Sequence, residues 1–106
     1  MEKRVLIMQW DYTYDKESTW FDEDHGQEEY ELKEGAVYPL PHIREKSLEI
    51  RSVTSEDGVV RAEVYTDCKT YMVVSGEAPV TAYASYSYSA AGDSVSQSLC
   101  LKLSIV

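Results

Sequence analysis

The sequence predicts an all-β protein, a single-domain antiparallel β-sandwich or jelly-roll-like barrel of about seven to eight strands. Three observations predict this class. A chain of 106 residues has the length of one domain. Several segments alternate apolar and polar residues with the period of a strand, and turn-forming residues separate these segments. We therefore expect residues 1–106 to form one all-β domain.

The end of the chain predicts a hairpin of two strands, residues 80–90 and 95–105. Gly92-Asp93 supplies the turn, either as a two-residue loop or inside a four-residue loop, and both choices set Ala84 opposite Leu101. One face of the hairpin is apolar and the other carries mainly hydroxyl groups. The hydroxyl-rich face, or a free edge of the last strand, is a candidate contact for a homodimer or for strand addition by a partner.

A second hairpin is predicted in the middle of the chain. Its buried face is shared by five apolar residues, Leu48, Ile50, Val60, Ala62 and Val64. These residues point to one side only if the loop has an odd length, and Glu56-Asp57-Gly58 offers three residues with glycine where a left-handed conformation is needed. This register places Arg51 opposite Glu63 on the outer face.

The remaining strands are predicted from shorter patterns. A long first strand runs from Arg4 to Tyr14, one or two short strands bent at Gly35 lie within residues 30–41, and a further strand lies within residues 69–74. Pro39 and Pro41 end the first of these short strands, because proline cannot donate to a sheet ladder. One face of the first strand is formed by Leu6, Met8, Trp10, Tyr12 and Tyr14.

Negative charge is concentrated in one segment. The net charge is −9, and the stretch from Asp11 to Glu34 holds ten acidic residues against Lys16 and Lys33, a net charge of −8. We expect this stretch to form an acidic loop around residues 15–29. Such a surface excludes nucleic acid and an anionic membrane as direct ligands and favours a cationic protein surface as the partner.

Two aromatic residues lie beside the acidic cluster and complete a candidate partner-binding site. Exposed aromatic side chains anchor many interfaces, and surrounding carboxylates speed the encounter with a basic partner. In the alternative interpretation, the aromatic pair folds back onto the body and the acids are only solvated. The site consists of Trp20, Phe21, Asp22, Glu23, Asp24, Glu28 and Glu29.

A second candidate site lies on the first strand, where Trp10, Tyr12 and Tyr14 share a face. Flat rings near carboxylates suit a carbohydrate-binding or calcium-assisted β-sandwich module. The alternative is that these rings belong to the core, together with the other residues of their face. A calcium loop is not predicted, because Lys33 stands where a bidentate Glu is needed. We expect no metal site and no cofactor.

Signals for catalysis are weak. The chain has two histidines and no strand–turn–helix serine motif, and Cys68 and Cys100 do not have the spacing of a zinc site. The apolar run Val5–Met8 is four residues long, which is shorter than the roughly 7–15 of a signal-peptide core. The sequence thus predicts a cytoplasmic, non-enzymatic protein-interaction module that binds a cationic partner, as acidic inhibitors and immunity-type proteins do.

Overall fold

The computed structural model describes residues 3–17, 19–43, 45–66, 70–90 and 94–106. It contains eight strands in two four-stranded antiparallel sheets, which confirms the all-β class and is consistent with a small single-domain β-sandwich. Within these ranges, no helix has the length and apolar character needed to cross a membrane. The strands are β1 (Val5–Lys16), β2 (Trp20–Glu31), β3 (Val37–Pro39), β4 (Ser47–Glu56), β5 (Val59–Thr66), β6 (Thr70–Glu77), β7 (Val80–Ala90) and β8 (Val95–Ile105).

The strand order is that of an up-and-down meander. Sheet I has the order β2-β1-β8-β7, and sheet II has the order β3-β4-β5-β6. Every hydrogen-bonded pair therefore joins strands that are consecutive in the chain, except β1 and β8. The Greek-key crossovers of a jelly roll are not among these pairs, so that part of the predicted fold is not confirmed.

The core is the layer of side chains between the two sheets. The molecule is elongated, with extents of 53 × 21 × 18 Å. The hydroxyl of Tyr86 on β7 donates to Oγ1 of the buried Thr66 on β5 at 2.7 Å and links the sheets. The most deeply buried apolar side chains are Leu6, Met8, Leu48, Ile50, Val60, Ala62, Val64, Val74, Leu99, Leu101, Leu103 and Ile105.

The β7–β8 hairpin confirms the register predicted from sequence. Ala84 lies opposite Leu101, and the ladder continues to the pair Ala90–Val95, which leaves a four-residue connection. Residues 91–93, which hold the predicted Gly-Asp turn, lie outside the described residues. The expectation that the last strand forms an edge is wrong, because β8 pairs with β1 on one side and with β7 on the other.

The β4–β5 hairpin has the predicted buried face, but a β-bulge and not a three-residue loop produces it. The turn has two residues, Asp57 and Gly58, both with positive φ (54° and 78°), rather than the predicted three. The extra residue is a bulge between Ile50 and Ser52, which restores the parity of the buried side chains. Ser52 therefore lies opposite Glu63 in the place predicted for Arg51.

The bulge also redirects the Arg51 side chain. Its guanidinium lies over the ring of Tyr65, with Cζ 4.2 Å from the ring centroid. The acidic partner of Arg51 is Glu49 on the same strand, and Glu63 pairs with Arg61. The predicted Arg51–Glu63 ion pair is thus replaced by one ion pair within each strand, Arg51–Glu49 and Arg61–Glu63.

The acidic segment is a strand and not a loop. Residues 20–31 form β2, which pairs with β1 along twelve residue pairs from Val5–Glu31 to Lys16–Trp20. The predicted loop around residues 15–29 is therefore wrong, because β1 ends at Lys16 and β2 begins at Trp20. Alternation failed to predict β2 because both of its faces are polar, so that pairing with β1 and not burial holds it extended.

Candidate functional site

Strand β2 is an acidic edge that is almost fully exposed. Along its length, Gly26 and Tyr30 are half-buried and the other ten residues are exposed. Side chains of successive strand residues point to opposite faces, so the acids divide between the two sides of sheet I. The side that continues the core face carries Asp22, Asp24 and Glu28, and the outer side carries Glu23, Glu29 and Glu31.

The two aromatic residues of the predicted site are exposed at the end of the hairpin. Trp20 is 63% exposed and Phe21 is 60% exposed, so neither ring folds back into the core. They are consecutive in β2 and lie beside Lys16 and Asp15, respectively, on opposite faces of the sheet. The structure therefore leaves each ring free for contact but does not combine them into one patch.

Asp24 is the most connected carboxylate of β2. The Nε2–H of His42 donates to Asp24 Oδ2 at 2.6 Å, and the Trp10 indole N–H approaches the same oxygen at 3.4 Å. The ring of His42 stacks on that of Tyr12, with centroids 4.1 Å apart and an interplanar angle of 23°. This network attaches the segment after β3 to the β1–β2 hairpin.

The network changes the acidity of Asp24. The hydrogen bond from His42 holds the pKa of the Asp24 carboxyl below its usual value, and the Trp10 indole adds to this effect. Both donors stabilise the charged form. The carboxylate is therefore ionised at neutral pH, and it loses these contacts as the pH falls through its lowered pKa.

Gly26 allows the ring of Trp10 to lie close to β2. The two residues are opposite each other in the β1–β2 ladder, and a Cβ atom at position 26 would overlap the six-membered ring of Trp10. A larger residue there would displace the indole and its contact with Asp24. Gly26 is thus required by a close approach and not by a special backbone angle.

A pair of tyrosines closes the other end of the hairpin. The rings of Tyr30 and Tyr38 stack with centroids 4.0 Å apart, and the Tyr38 hydroxyl donates to the backbone carbonyl of Glu31 at 2.6 Å. Burial raises the pKa of both hydroxyls, and nearby Glu28 and Glu31 add to the effect on Tyr30 and Tyr38, respectively. These contacts fix β3 against the acidic strand.

The aromatic residues of the second predicted site are engaged in internal contacts. Tyr12 is buried, with 8% of its surface exposed, and its hydroxyl donates to Gln97 Oε1 at 3.2 Å. Trp10 and Tyr14 are half-buried and pack against the core. Their alternation with Leu6 and Met8 predicted a core role, and the packing agrees with that alternative.

Two open depressions adjoin the hairpin. One, of about 300 Å³, lies between the core-side face of β2 and the residues after β3, and includes Trp10, Glu28, Tyr30 and His42. The other, of about 510 Å³, lies on the outer face of sheet I. Its polar lining includes Gln9, Asp11, His25, Gln27, Tyr83, Cys100 and Lys102.

The described residues include no group of three or more His, Cys, Asp or Glu side chains that could hold a metal ion. Cys100 has an exposed, free thiol on the outer face of sheet I, and Cys68 lies outside the described residues. The hydroxyl-rich face beside it is exposed as expected, with Thr81 and Ser104 hydroxyls 3.0 Å apart. Whether this face contacts a second copy stays a prediction.

The acids, Trp20 and Phe21 were predicted as site residues from the sequence. The residues whose side chains hold the acidic strand in place were not predicted. His42 and Tyr38 hold the hairpin from outside the acidic segment, and Gly26 does so from within β2 by admitting the Trp10 ring. The signal that was available for His42 is its position directly after Pro41, where the chain leaves β3 and cannot continue the ladder.

Comparisons of this chain with protein-family models, with curated proteins and with solved structures found no match.

Proposed function

We propose that this protein is a non-enzymatic interaction module that binds a cationic protein surface through strand β2. The observation that carries the proposal is the exposure of six carboxylates along one edge strand of sheet I. In the described part of the chain, His42 is the one basic side chain in contact with a β2 carboxylate, that of Asp24. The negative charge of the strand is therefore available to a partner.

The exposed rings of Trp20 and Phe21 support an interaction role for the same strand. Large aromatic side chains are enriched among the residues that contribute most to binding, and here each is about three-fifths exposed. The carboxylates add long-range attraction, which raises the association rate with a basic partner. An inhibitor or immunity-type role, in which the acidic strand covers a basic active site, fits this surface.

The test is to isolate a partner, purify it and measure its affinity in two salt concentrations. The screening length falls from about 30 Å at 10 mM salt to about 8 Å at 150 mM. We expect the affinity to fall at least tenfold between these conditions. A partner whose affinity is the same in both would contradict the proposal.

A matched pair of triple variants locates the charge that matters. The test variant is Glu23→Lys, Glu28→Lys and Glu29→Lys on β2, and the control variant is Glu49→Lys, Glu56→Lys and Glu77→Lys on sheet II. Both change the net charge equally. We expect binding to be lost in the first and retained in the second, and equal losses would show that only net charge acts.

A carbohydrate-binding or calcium-assisted module remains the alternative proposal, and it would use Trp10, Tyr12 and Tyr14. It has less support, because the Tyr12 ring is stacked on His42 and Trp10 packs against Gly26. A change in tryptophan fluorescence on titration with calcium or a glycan panel would favour it. For either function we propose a cytoplasmic location.

A further inference from the structure

The register of the β1–β2 ladder fixes which backbone groups of β2 face away from the sheet. The Leu32 N–H donates to the Arg4 carbonyl at 2.9 Å, just beyond the end of the strand. In an antiparallel ladder, residues that exchange hydrogen bonds alternate with residues whose groups point outward. The even-numbered residues of β2 therefore bond to β1, and the odd-numbered ones point to the free edge.

A second contact supports this assignment. The carbonyl of Glu31, an odd-numbered residue, accepts a hydrogen bond from the Tyr38 side chain and so points away from β1. The edge is thus occupied at Glu31 and open from there toward the turn. The His25 N–H also contacts the Asp24 carboxylate. In the described part of the chain, the residues whose outward N–H and C=O groups are both open are Phe21, Glu23, Gln27 and Glu29, and His25 keeps its outward C=O.

This edge is long enough to hold a peptide in the extended conformation. From Phe21 to Glu29 it spans nine residues, or about 30 Å at the usual rise of a strand. Free strand edges of this kind recruit other strands, and natural proteins protect them with charge. Here the protecting charge is of one sign only, on both faces, so it repels another copy of β2 and attracts a strand with basic side chains.

We propose that the cationic partner binds by strand addition, with an extended basic segment of about nine residues paired to the free edge of β2. This inference rests on the proposed function and specifies its geometry. Main-chain hydrogen bonds would supply affinity, and side chains of the added strand would lie beside β2 acids on both faces. Glu23 and Glu29 would meet its basic residues on the outer side, and Asp22 and Glu28 on the core side.

The test compares two peptides with the same charge. One is a nine-residue peptide with the repeat Lys-Lys-Thr-Thr, which places lysines on both faces of an added strand, and the other is the same peptide methylated at every backbone nitrogen. Methylation removes the donors that strand addition needs and keeps the lysine ammonium groups. At 10 mM salt we expect the first peptide to bind and the second to bind at least tenfold more weakly.

Amide hydrogen exchange reports the same geometry without any mutation. On binding of the unmethylated peptide, exchange should slow at the outward N–H groups of Glu23, Gln27 and Glu29. The N–H groups of Asp22 and Gly26 already face β1, and they serve as the internal control. A change confined to side-chain signals would indicate docking on a face and would overturn strand addition.

A variant of the protein adds an independent check. Gln27→Pro removes one outward donor at an edge position that tolerates proline, and Gln27→Thr is the matched control. We expect the proline variant to bind the peptide at least threefold more weakly than the threonine variant, with thermal unfolding confirming that both are folded.

The outcomes separate the two proposals. Equal, salt-sensitive binding of both peptides would overturn strand addition and leave the acidic surface as the partner site. Binding of neither peptide at 10 mM salt would overturn both proposals. Loss of binding on methylation, together with slowed exchange at the odd-numbered residues, would support both.

Discussion

Strands β2 and β8 both pair with β1, yet β8 contributes buried side chains to the core and β2 contributes exposed side chains to the surface. β8 buries Leu99, Leu101, Leu103 and Ile105 between the sheets. β2 has the same ladder with β1 over its full length and buries none of its side chains completely. β2 is therefore held extended mainly by its backbone ladder with β1, and most of its side chains stay exposed.

The largest expected effect is on stability, and it tests this division directly. Leu101→Ala removes a side chain that is 1% exposed, and we expect the free energy of unfolding to fall by about 2–5 kcal/mol. Glu29→Ala on β2 should change it by less than about 0.5 kcal/mol. Urea unfolding of both variants measures the difference. A similar loss in the two would mean that β2 contributes to stability as β8 does.

The next prediction concerns the one place where β2 is tightly packed. Gly26→Ala should lower the free energy of unfolding by about 1–3 kcal/mol, because its Cβ atom overlaps the Trp10 ring. Gln27→Ala is the neighbouring control and should have little effect. Tryptophan emission should shift in the first variant and not in the second. If Gly26→Ala left the free energy of unfolding unchanged, the Trp10 ring would be able to move away from β2 without cost.

A smaller effect is expected where the two sheets are linked far from β2. Tyr86→Phe removes the hydroxyl that donates to Thr66 and should cost about 0.5–1.5 kcal/mol. Tyr83→Phe on the same strand is the control, since Tyr83 is 72% exposed. Chemical unfolding distinguishes the two. Equal stability of both variants would mean that the bond between the sheets contributes nothing.

The smallest expected effect is a change in titration. His42→Ala should raise the pKa of Asp24 toward its usual value, because the main donor to the carboxylate is lost. The carboxyl carbon signal of Asp24 would then titrate at higher pH. Glu63 on sheet II has a pKa lowered mainly by the Ser52 hydroxyl, and it should not respond to this variant. A shift of both groups would point to a general change of the fold.

Sequence patterns predicted those elements in which one face is buried. In the β7–β8 hairpin, alternation fixed the register down to the pair Ala84–Leu101. In the β4–β5 hairpin, alternation required one residue more than a two-residue turn provides. That residue is in the bulge at Arg51 and not in the turn. A three-residue loop and a two-residue loop with a bulge bring the same side chains to the buried face. The pattern of buried residues therefore does not distinguish these two arrangements.

Strand β2 escaped prediction because it has no buried face to produce a pattern. Its conformation depends on β1, and such long-range pairing is not visible in a local window. The acids of the candidate site could be read from the sequence, since charge density needs no coordinates. Their connection to His42 and Tyr38 could not, because those residues are brought to the hairpin by the turn of the chain after β2.

Strand β2 is an extended edge of twelve residues, which gives it a linear shape as a contact site. Between Asp22 and Glu29 the contacts to a partner would be similar and individually weak, so the lifetime of a complex would grow with the number of matched residues. The affinity of such a surface would depend on the length of a basic segment as well as on its charge. Short basic stretches would exchange rapidly and long ones would be retained.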